Sequence, residues 1–117
     1  NILAVPSYNL NKAFHPKSSG KLGYVVTSSG VKVYHAGDTD FIPEMKGLEC
    51  DIALLPVSGT YVMTAEEAAE AALAIRPGIA VPMHFGDIVG TEADAQQFRD
   101  RLAGKIEVKI LTKEGAR

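Results

Sequence analysis

The positions of hydrophobic residues along the chain predict a fold rich in β-strands. Two runs in which apolar residues recur at every second position, 22–28 and 31–36, are separated only by Ser29-Gly30. That connection is typical of a two-residue β-hairpin. The hairpin would fix the register of its strands, so Asp38 and the loop before residue 22 should leave the sheet at the same end. Further apolar runs predict four more strands, at 2–5, 51–57, 79–83 and 106–111.

Two of these strands carry information about their surroundings. The run 51–57 shows little alternation between apolar and polar residues, so we expect both of its faces to be covered. Pro82 has no N–H to donate, so we expect the strand 79–83 to lie at an edge of the sheet or to become irregular near its end.

A helical period predicts two helices in the second half of the chain. Thr64, followed three residues later by Glu67, forms a capping box at the start of the helix 64–76, which Pro77-Gly78 ends. Its packing face consists of small residues and one isoleucine: Ala65, Ala68, Ala69, Ala72 and Ile75.

The second helix, 91–103, has Thr91 as its N-cap and Gly104 as its stop. Its predicted buried stripe is Ala95, Phe98 and Leu102.

Together these elements predict a single α/β domain over residues 1–117. It would contain a mixed, mainly antiparallel sheet of five or six strands with two helices on one face. We also expect a short helical turn within 41–48 and a frayed tail at 113–117.

Composition narrows the class of protein. Apolar residues make up 46% of the chain and charged residues 22%, as in ordinary globular proteins. The net charge of -2 gives no electrostatic reason to expect nucleic acid as a partner. No apolar run approaches the roughly 20 residues of a membrane-spanning helix. The single Cys50 cannot close a disulfide within the chain, and no secretory signal opens it, so we expect a cytoplasmic protein.

Three candidate metal ligands fall in loops beside predicted strands: His15, Asp38 and His84. A sheet can gather such strand-end residues into one site although they are far apart in sequence. Two imidazoles and a carboxylate form a normal ligand set for zinc or iron. The alternatives are an idle loop histidine for His15 and for His84, and for Asp38 a turn residue that caps its own backbone.

Four short motifs follow one another along the chain: His15-Pro-Lys, Val33-Tyr-His-Ala-Gly-Asp38-Thr-Asp, Leu55-Pro-Val-Ser-Gly-Thr-Tyr61 and Val81-Pro-Met-His84-Phe-Gly. In this order they resemble the carboxyl-terminal half of the metallo-β-lactamase superfamily. The most similar branch is that of the small metal-dependent hydrolases containing the ascorbate-6-phosphate lactonase. The resemblance implies that His15 and His84 are metal ligands and that Asp38 is the carboxylate bridging two metals. It also implies half of a four-layer αββα sandwich.

The chain departs from this family in one respect. The signature H-x-H-x-D-H supplies most of the family's metal ligands and the acid that positions the attacking water. It is absent here, and the only histidines are His15, His35 and His84. We therefore interpret the chain as the carboxyl-terminal part of a hydrolase that cleaves an ester, lactone or phosphoester with metal-activated water. By itself it should be inactive or nearly so.

The alternative interpretation is a non-catalytic fragment or structural module. For the hydrolase, the expected cofactor is one or two divalent ions in the complete site, with zinc first and manganese or iron as alternatives. The expected ligand is a small-molecule substrate, and we expect neither nucleic acid nor a membrane as a partner. Because half of a sandwich would expose an apolar sheet face, we expect the missing amino-terminal half or a second copy of the chain to cover it.

Five further residues are candidates for contact with a substrate or support of a ligand: His35, Thr39, Ser58, Thr60 and Tyr61. His35 lies on the same strand face as Val31 and Val33, so a hydrogen-bonded core histidine is an equally good interpretation. The segment 58–61 could equally be a plain polar loop before a capped helix.

Overall fold

A computed structural model of the protein describes residues 2–8, 22–37, 39–59, 62–83, 92–112 and 115–116. In these residues the main sheet has six strands: β1 Ile2–Pro6, β2 Leu22–Ser28, β3 Val31–His35, β4 Ile52–Pro56, β5 Ile79–Met83 and β6 Glu107–Val108. The helices are α1 Ala65–Ile75 and α2 Glu92–Leu102, and Pro43–Met45 forms the expected short 3₁₀ turn. A separate pair of short strands, β7 Leu111–Thr112 and β8 Gly115–Ala116, follows.

The six strands of the main sheet lie side by side in chain order. Antiparallel pairing joins β1, β2 and β3, whereas parallel pairing joins β3, β4, β5 and β6. The α/β class, the mixed sheet and its two helices are thereby confirmed, and parallel pairing takes a larger share than the sequence analysis expected. Because β4 and β5 run in the same direction, the chain must cross back between them, and α1 makes that crossing.

The predicted hairpin is confirmed. Tyr24 lies opposite His35, and Ser28 lies opposite Val31, at the closed end of the hairpin. Ser29 and Gly30 both have positive φ, 51° and 80°, which is the combination that a type I′ turn requires.

The helices cover one face of the sheet, as predicted. α1 packs against β4, and α2 packs against β5, β6 and α1. The residues predicted for the packing faces of both helices are buried, and the small side chains of α1 let its backbone lie close to the sheet. On the sheet side, the core is filled by Val25, Tyr34, Ala53, Leu55 and Ala80.

The opposite face of the sheet is apolar, and the described residues leave much of it exposed. We call it the open face; strand register assigns to it Ile2, Leu22, Tyr24, Val26, Val31, Val33, His35, Ile52 and Leu54. Ile2 is 67% exposed and Tyr24 43% exposed. The expectation that both faces of β4 would be covered holds fully on one side only, because Ala53 and Leu55 are buried while Ile52 and Leu54 are half-buried.

The closing strand predicted at 106–111 is wrong in its extent. Only Glu107 and Val108 pair with β5, opposite Ile79 and Ala80. One more bond follows, from the Lys109 N–H to the Ala80 carbonyl at 3.0 Å. The next bond of a parallel ladder would need an N–H at Pro82, which has none. The chain therefore leaves the sheet at this point.

Pro82 thus interrupts the pairing of β5 near its end, as the sequence indicated. Over its first residues β5 is not an edge strand, because β6 pairs with it there. The predicted frayed tail at 113–117 is also corrected, because β8 pairs antiparallel with β7 there.

Neither α1 nor α2 has the length and apolar run that a helix crossing a membrane needs.

α1 begins at the predicted capping box. The Thr64 hydroxyl accepts the Glu67 N–H at 3.2 Å, and the Glu67 carboxylate accepts the Thr64 N–H at 2.9 Å. The helix ends at Ile75, where Arg76 takes a left-handed conformation with φ of 55° before the proline that follows it.

Thr64→Ala should lower the free energy of unfolding by about 1 kcal/mol, because the Glu67 N–H loses its acceptor. Urea unfolding followed by circular dichroism measures this change. Glu70→Ala, at an exposed position of the same helix, is the matched control and should not lower the midpoint. Equal losses in the two variants would contradict a stabilising cap.

Candidate functional site

Four strands end at one edge of the sheet. Pro6 at the end of β1 pairs with Leu22 at the start of β2, and Tyr24 pairs with His35 at the end of β3. Because β3, β4 and β5 are parallel, their carboxyl ends emerge at that edge too, with Pro56 opposite Met83. We call this rim the carboxyl edge. It is where ligands generally bind in sheets with parallel strands.

The predicted metal ligands His15, Asp38 and His84 lie outside the described residues, as do Thr60 and Tyr61. The nearest described residues belong to chain that leaves or enters the sheet at the carboxyl edge: Gly37 and Thr39 on either side of Asp38, Met83 before His84, and Tyr8 and Leu22, each seven positions from His15. Within the described ranges no cluster of three or more His, Cys, Asp or Glu could hold a metal. The three-ligand site stays a prediction.

Thr39 lies in the interior at this edge. Its side chain is 0% exposed. The hydroxyl accepts the Tyr8 N–H at 3.0 Å, and its own proton faces the carbonyls of Tyr8 and Asp40, each at 3.0 Å. The hydroxyl of Thr39, a candidate for substrate contact or ligand support, therefore bonds to protein backbone.

Tyr8 fixes the exit of β1 to the chain that follows β3. In addition to its bonds with Thr39, its carbonyl accepts the Asp40 N–H at 2.9 Å. Its phenol donates to a carboxylate oxygen of Glu44 at 2.7 Å. The hydrogen bond to Glu44, with burial and the negative charge of that carboxylate, raises the pKa of Tyr8 to about 12.

Sequence reasoning did not single out the Tyr8–Glu44 contact. These residues are 36 positions apart, so no local pattern points to the pair.

His35 is exposed, so the buried core interpretation does not hold for the described chain. The strand alternation was assigned correctly, but the face that His35 shares with Val31 and Val33 is the open one. Its Nδ1 accepts the Gly37 N–H at 3.2 Å, which leaves Nε2 as the other nitrogen for an outside partner.

Two glycines allow the backbone to pack closely here. A Cβ at Gly23 would lie 2.6 Å from the His35 carbonyl oxygen and 2.7 Å from that of Ala36. Gly37 has φ of 73°, and a Cβ there would lie 3.2 Å from the Ser7 hydroxyl. The turn leading into Asp38 thus depends on glycine for its conformation.

The loop that follows β4 is tied to its neighbours. The Val57 N–H donates to the Met83 carbonyl at 3.1 Å, which joins the ends of β4 and β5. Ser58, partly buried, forms an isolated antiparallel bridge with Thr64. The Met63 N–H donates to the Thr39 carbonyl at 3.1 Å. The segment on either side of residues 60–61 is therefore anchored at the carboxyl edge.

Comparison with known proteins identifies the family. The sequence model of the beta-lactamase superfamily domain matches residues 1–84. A UPF0173 metal-dependent hydrolase of Thermococcus onnurineus is 39% identical over 110 residues, which cover 85% of this chain and 49% of that protein. The chain belongs to the beta-lactamase superfamily, and it spans about half the length of the curated relatives it matches.

Solved structures agree on the fold. A structure from Parabacteroides distasonis, described as a candidate metal-dependent hydrolase, is 42% identical with a TM-score of 0.82, over 93% of this chain and 49% of that chain. One from Thermotoga maritima, described as a candidate Zn-dependent hydrolase of the metallo-beta-lactamase superfamily, has a TM-score of 0.70 at 23% identity, over 93% of this chain and 63% of that chain. The second likeness shows the fold alone.

Tyr8→Phe should lower the free energy of unfolding by about 1 kcal/mol at pH 8, because the hydrogen bond to Glu44 is lost. The pKa of Tyr8 is raised from 10.0 to about 12, so the folded state binds this proton more tightly. The stabilisation is therefore complete below pH 10 and declines as the pH rises toward 12. Urea unfolding at pH 8 to 11 should show the wild type and Tyr8→Phe converging.

Tyr24→Phe is the matched control, since it removes a phenol from the open face. Its free energy of unfolding at pH 8 should match that of the wild type. If the difference in free energy of unfolding between the wild type and Tyr8→Phe does not narrow as the pH rises, the hydrogen bond between Tyr8 and Glu44 is contradicted.

Proposed function

We propose that this chain supplies three ligands, His15, Asp38 and His84, to the metal centre of a hydrolase that cleaves an ester, lactone or phosphoester. The observation that carries the proposal is the common edge of the sheet shared by the nearest described residues before and after these three positions. The relatives named metal-dependent hydrolases support the metal requirement.

The donor chemistry fits a divalent ion. Two neutral imidazoles and a carboxylate suit zinc, with manganese or iron as alternatives. Asp38 has two oxygens and suits the position between two ions, while His15 and His84 suit the flanks, each with a second nitrogen that needs a hydrogen-bond partner. When bound, the metal would lower the pKa of a coordinated water toward 7 and provide a Lewis acid.

The open face supports a second layer over the sheet. Contiguous apolar surface of this kind is characteristic of an interface, and two sheets that pack face to face bury such surfaces in a common core. We propose that an amino-terminal segment corresponding to the rest of the relatives' length, or a second copy of this chain, covers it. In either case His35 and Tyr24 would lie at the interface.

Asp38→Ala should weaken the binding of Zn²⁺ to the chain by more than about 100-fold, the upper range for loss of a mere supporting residue. Competition against a chromogenic chelator measures the affinity. Asp100→Ala removes an exposed carboxylate on α2 and should leave the affinity unchanged. With the covering layer supplied, Asp38→Ala should also abolish ester or phosphoester hydrolysis.

Unchanged Zn²⁺ affinity in Asp38→Ala would overturn the ligand assignment. If Zn²⁺ affinity depends on Asp38 but the chain with its covering layer hydrolyses no ester or phosphoester, the non-catalytic module is favoured instead.

In dilute buffer the chain by itself should sediment with a mass above the 12.5 kDa of one copy, because the open face will associate. Val26→Glu, which places a charge on that face, should shift the protein toward one copy. Leu111→Glu, at an exposed apolar position outside the main sheet, is the control and should not. A wild-type chain that sediments as one well-behaved copy would count against the second layer.

A further inference from the structure

Three segments of the carboxyl edge meet at Thr39. The first is the exit of β1, where the Tyr8 N–H donates to the Thr39 hydroxyl and the Tyr8 carbonyl accepts a hydrogen bond from it. The second is the chain after β3, to which Thr39 itself belongs. The third is the segment before α1, whose Met63 N–H donates to the Thr39 carbonyl.

Each of these segments continues in sequence toward predicted site residues. His15 is seven positions after Tyr8, Asp38 immediately precedes Thr39, and Tyr61 is two positions before Met63. The side-chain and backbone hydrogen bonds of Thr39 therefore join the segments that continue toward two predicted ligands, His15 and Asp38, and toward the candidate residues Thr60 and Tyr61.

We propose that Thr39 is a positioning residue that fixes the segment bearing His15 against the segment bearing Asp38. This inference rests on the proposed function, because it assigns a role within the same metal centre. Thr39 does not touch the substrate: it is fully buried, and its hydroxyl accepts one backbone N–H while its single proton faces two backbone carbonyls.

The hydroxyl is essential to this role because of what its removal leaves behind. In Thr39→Val the shape is preserved, but the Tyr8 N–H loses its acceptor in a buried setting. A buried N–H without a partner is unfavourable, so the backbone at Tyr8 should shift to find one. The shift would alter the distance between the two ligand-bearing segments.

The test compares Zn²⁺ affinity, measured by chelator competition, in variants of the full chain. Thr39→Val should bind about 10- to 100-fold more weakly, the range seen when support of a metal ligand is lost. Thr39→Ser keeps the hydroxyl and should restore affinity to within about threefold of the wild type. Thr39→Cys, with a weak donor and acceptor in place of the hydroxyl, should be intermediate and provides a second variant if Thr39→Val does not fold.

A control separates positioning from general destabilisation. Ile75 is buried at the carboxyl end of α1, just before β5 begins at the opposite edge of the sheet. Ile75→Val should lower the unfolding midpoint without changing Zn²⁺ affinity. The visible absorption of bound Co²⁺, which depends on ligand geometry, should change in Thr39→Val and stay as in the wild type in Ile75→Val.

Wild-type affinity in Thr39→Val, or a loss equal to that of Ile75→Val, would overturn the positioning role while leaving the proposed function intact. A failure of Thr39→Ser to restore affinity would also overturn it. If Asp38→Ala retains full affinity, the metal centre itself is wrong, and that outcome is distinct from a failure at Thr39 alone.

Discussion

The parallel pairing of β3, β4 and β5 is the constraint on which the rest of the molecule depends. Parallel strands require the chain to return along the sheet after each one. α1 and α2 lie in two of these returning segments, and they cover one face of the sheet. The same pairing brings the carboxyl ends of the three strands to one edge. The two antiparallel pairings, β1 with β2 and β2 with β3, make β1 run in the same direction as β3, and so the end of β1 lies at this edge as well.

The two faces of the sheet have opposite physical characters. On the covered face, burial raises the pKa of Tyr34 and raises that of the half-buried Cys50 to about 11. The Tyr34 hydroxyl is buried there with no hydrogen-bond partner within the described part of the chain. A cost of about 1–3 kcal/mol for such a group must be offset by the packing of its ring. On the open face, apolar strand residues remain in contact with solvent.

Hydrogen bonds hold the loops at the carboxyl edge in place. Loops between strands have few packing contacts of their own, and their backbone polar groups need partners wherever they are buried. Here the bonds of Thr39, Tyr8 and Glu44 meet that need next to the predicted ligands. Gly23 and Gly37 let the participating backbones approach closely enough for those bonds to form.

The sequence by itself determined the hairpin, both helices and the cap at Thr64, because each depends on residues only a few positions apart. Apolar patterns also predicted the α/β class, and the family resemblance gave roles to the three candidate ligands. The structure neither brings these ligands together nor separates them, since all three lie outside the described residues. Only the tertiary structure decided that His35 faces outward, that β6 stops opposite Ala80, and that Thr39 binds Tyr8 across 31 positions. Alternation reveals that a strand has two faces, but which face is covered depends on where distant elements pack, and no local pattern records that.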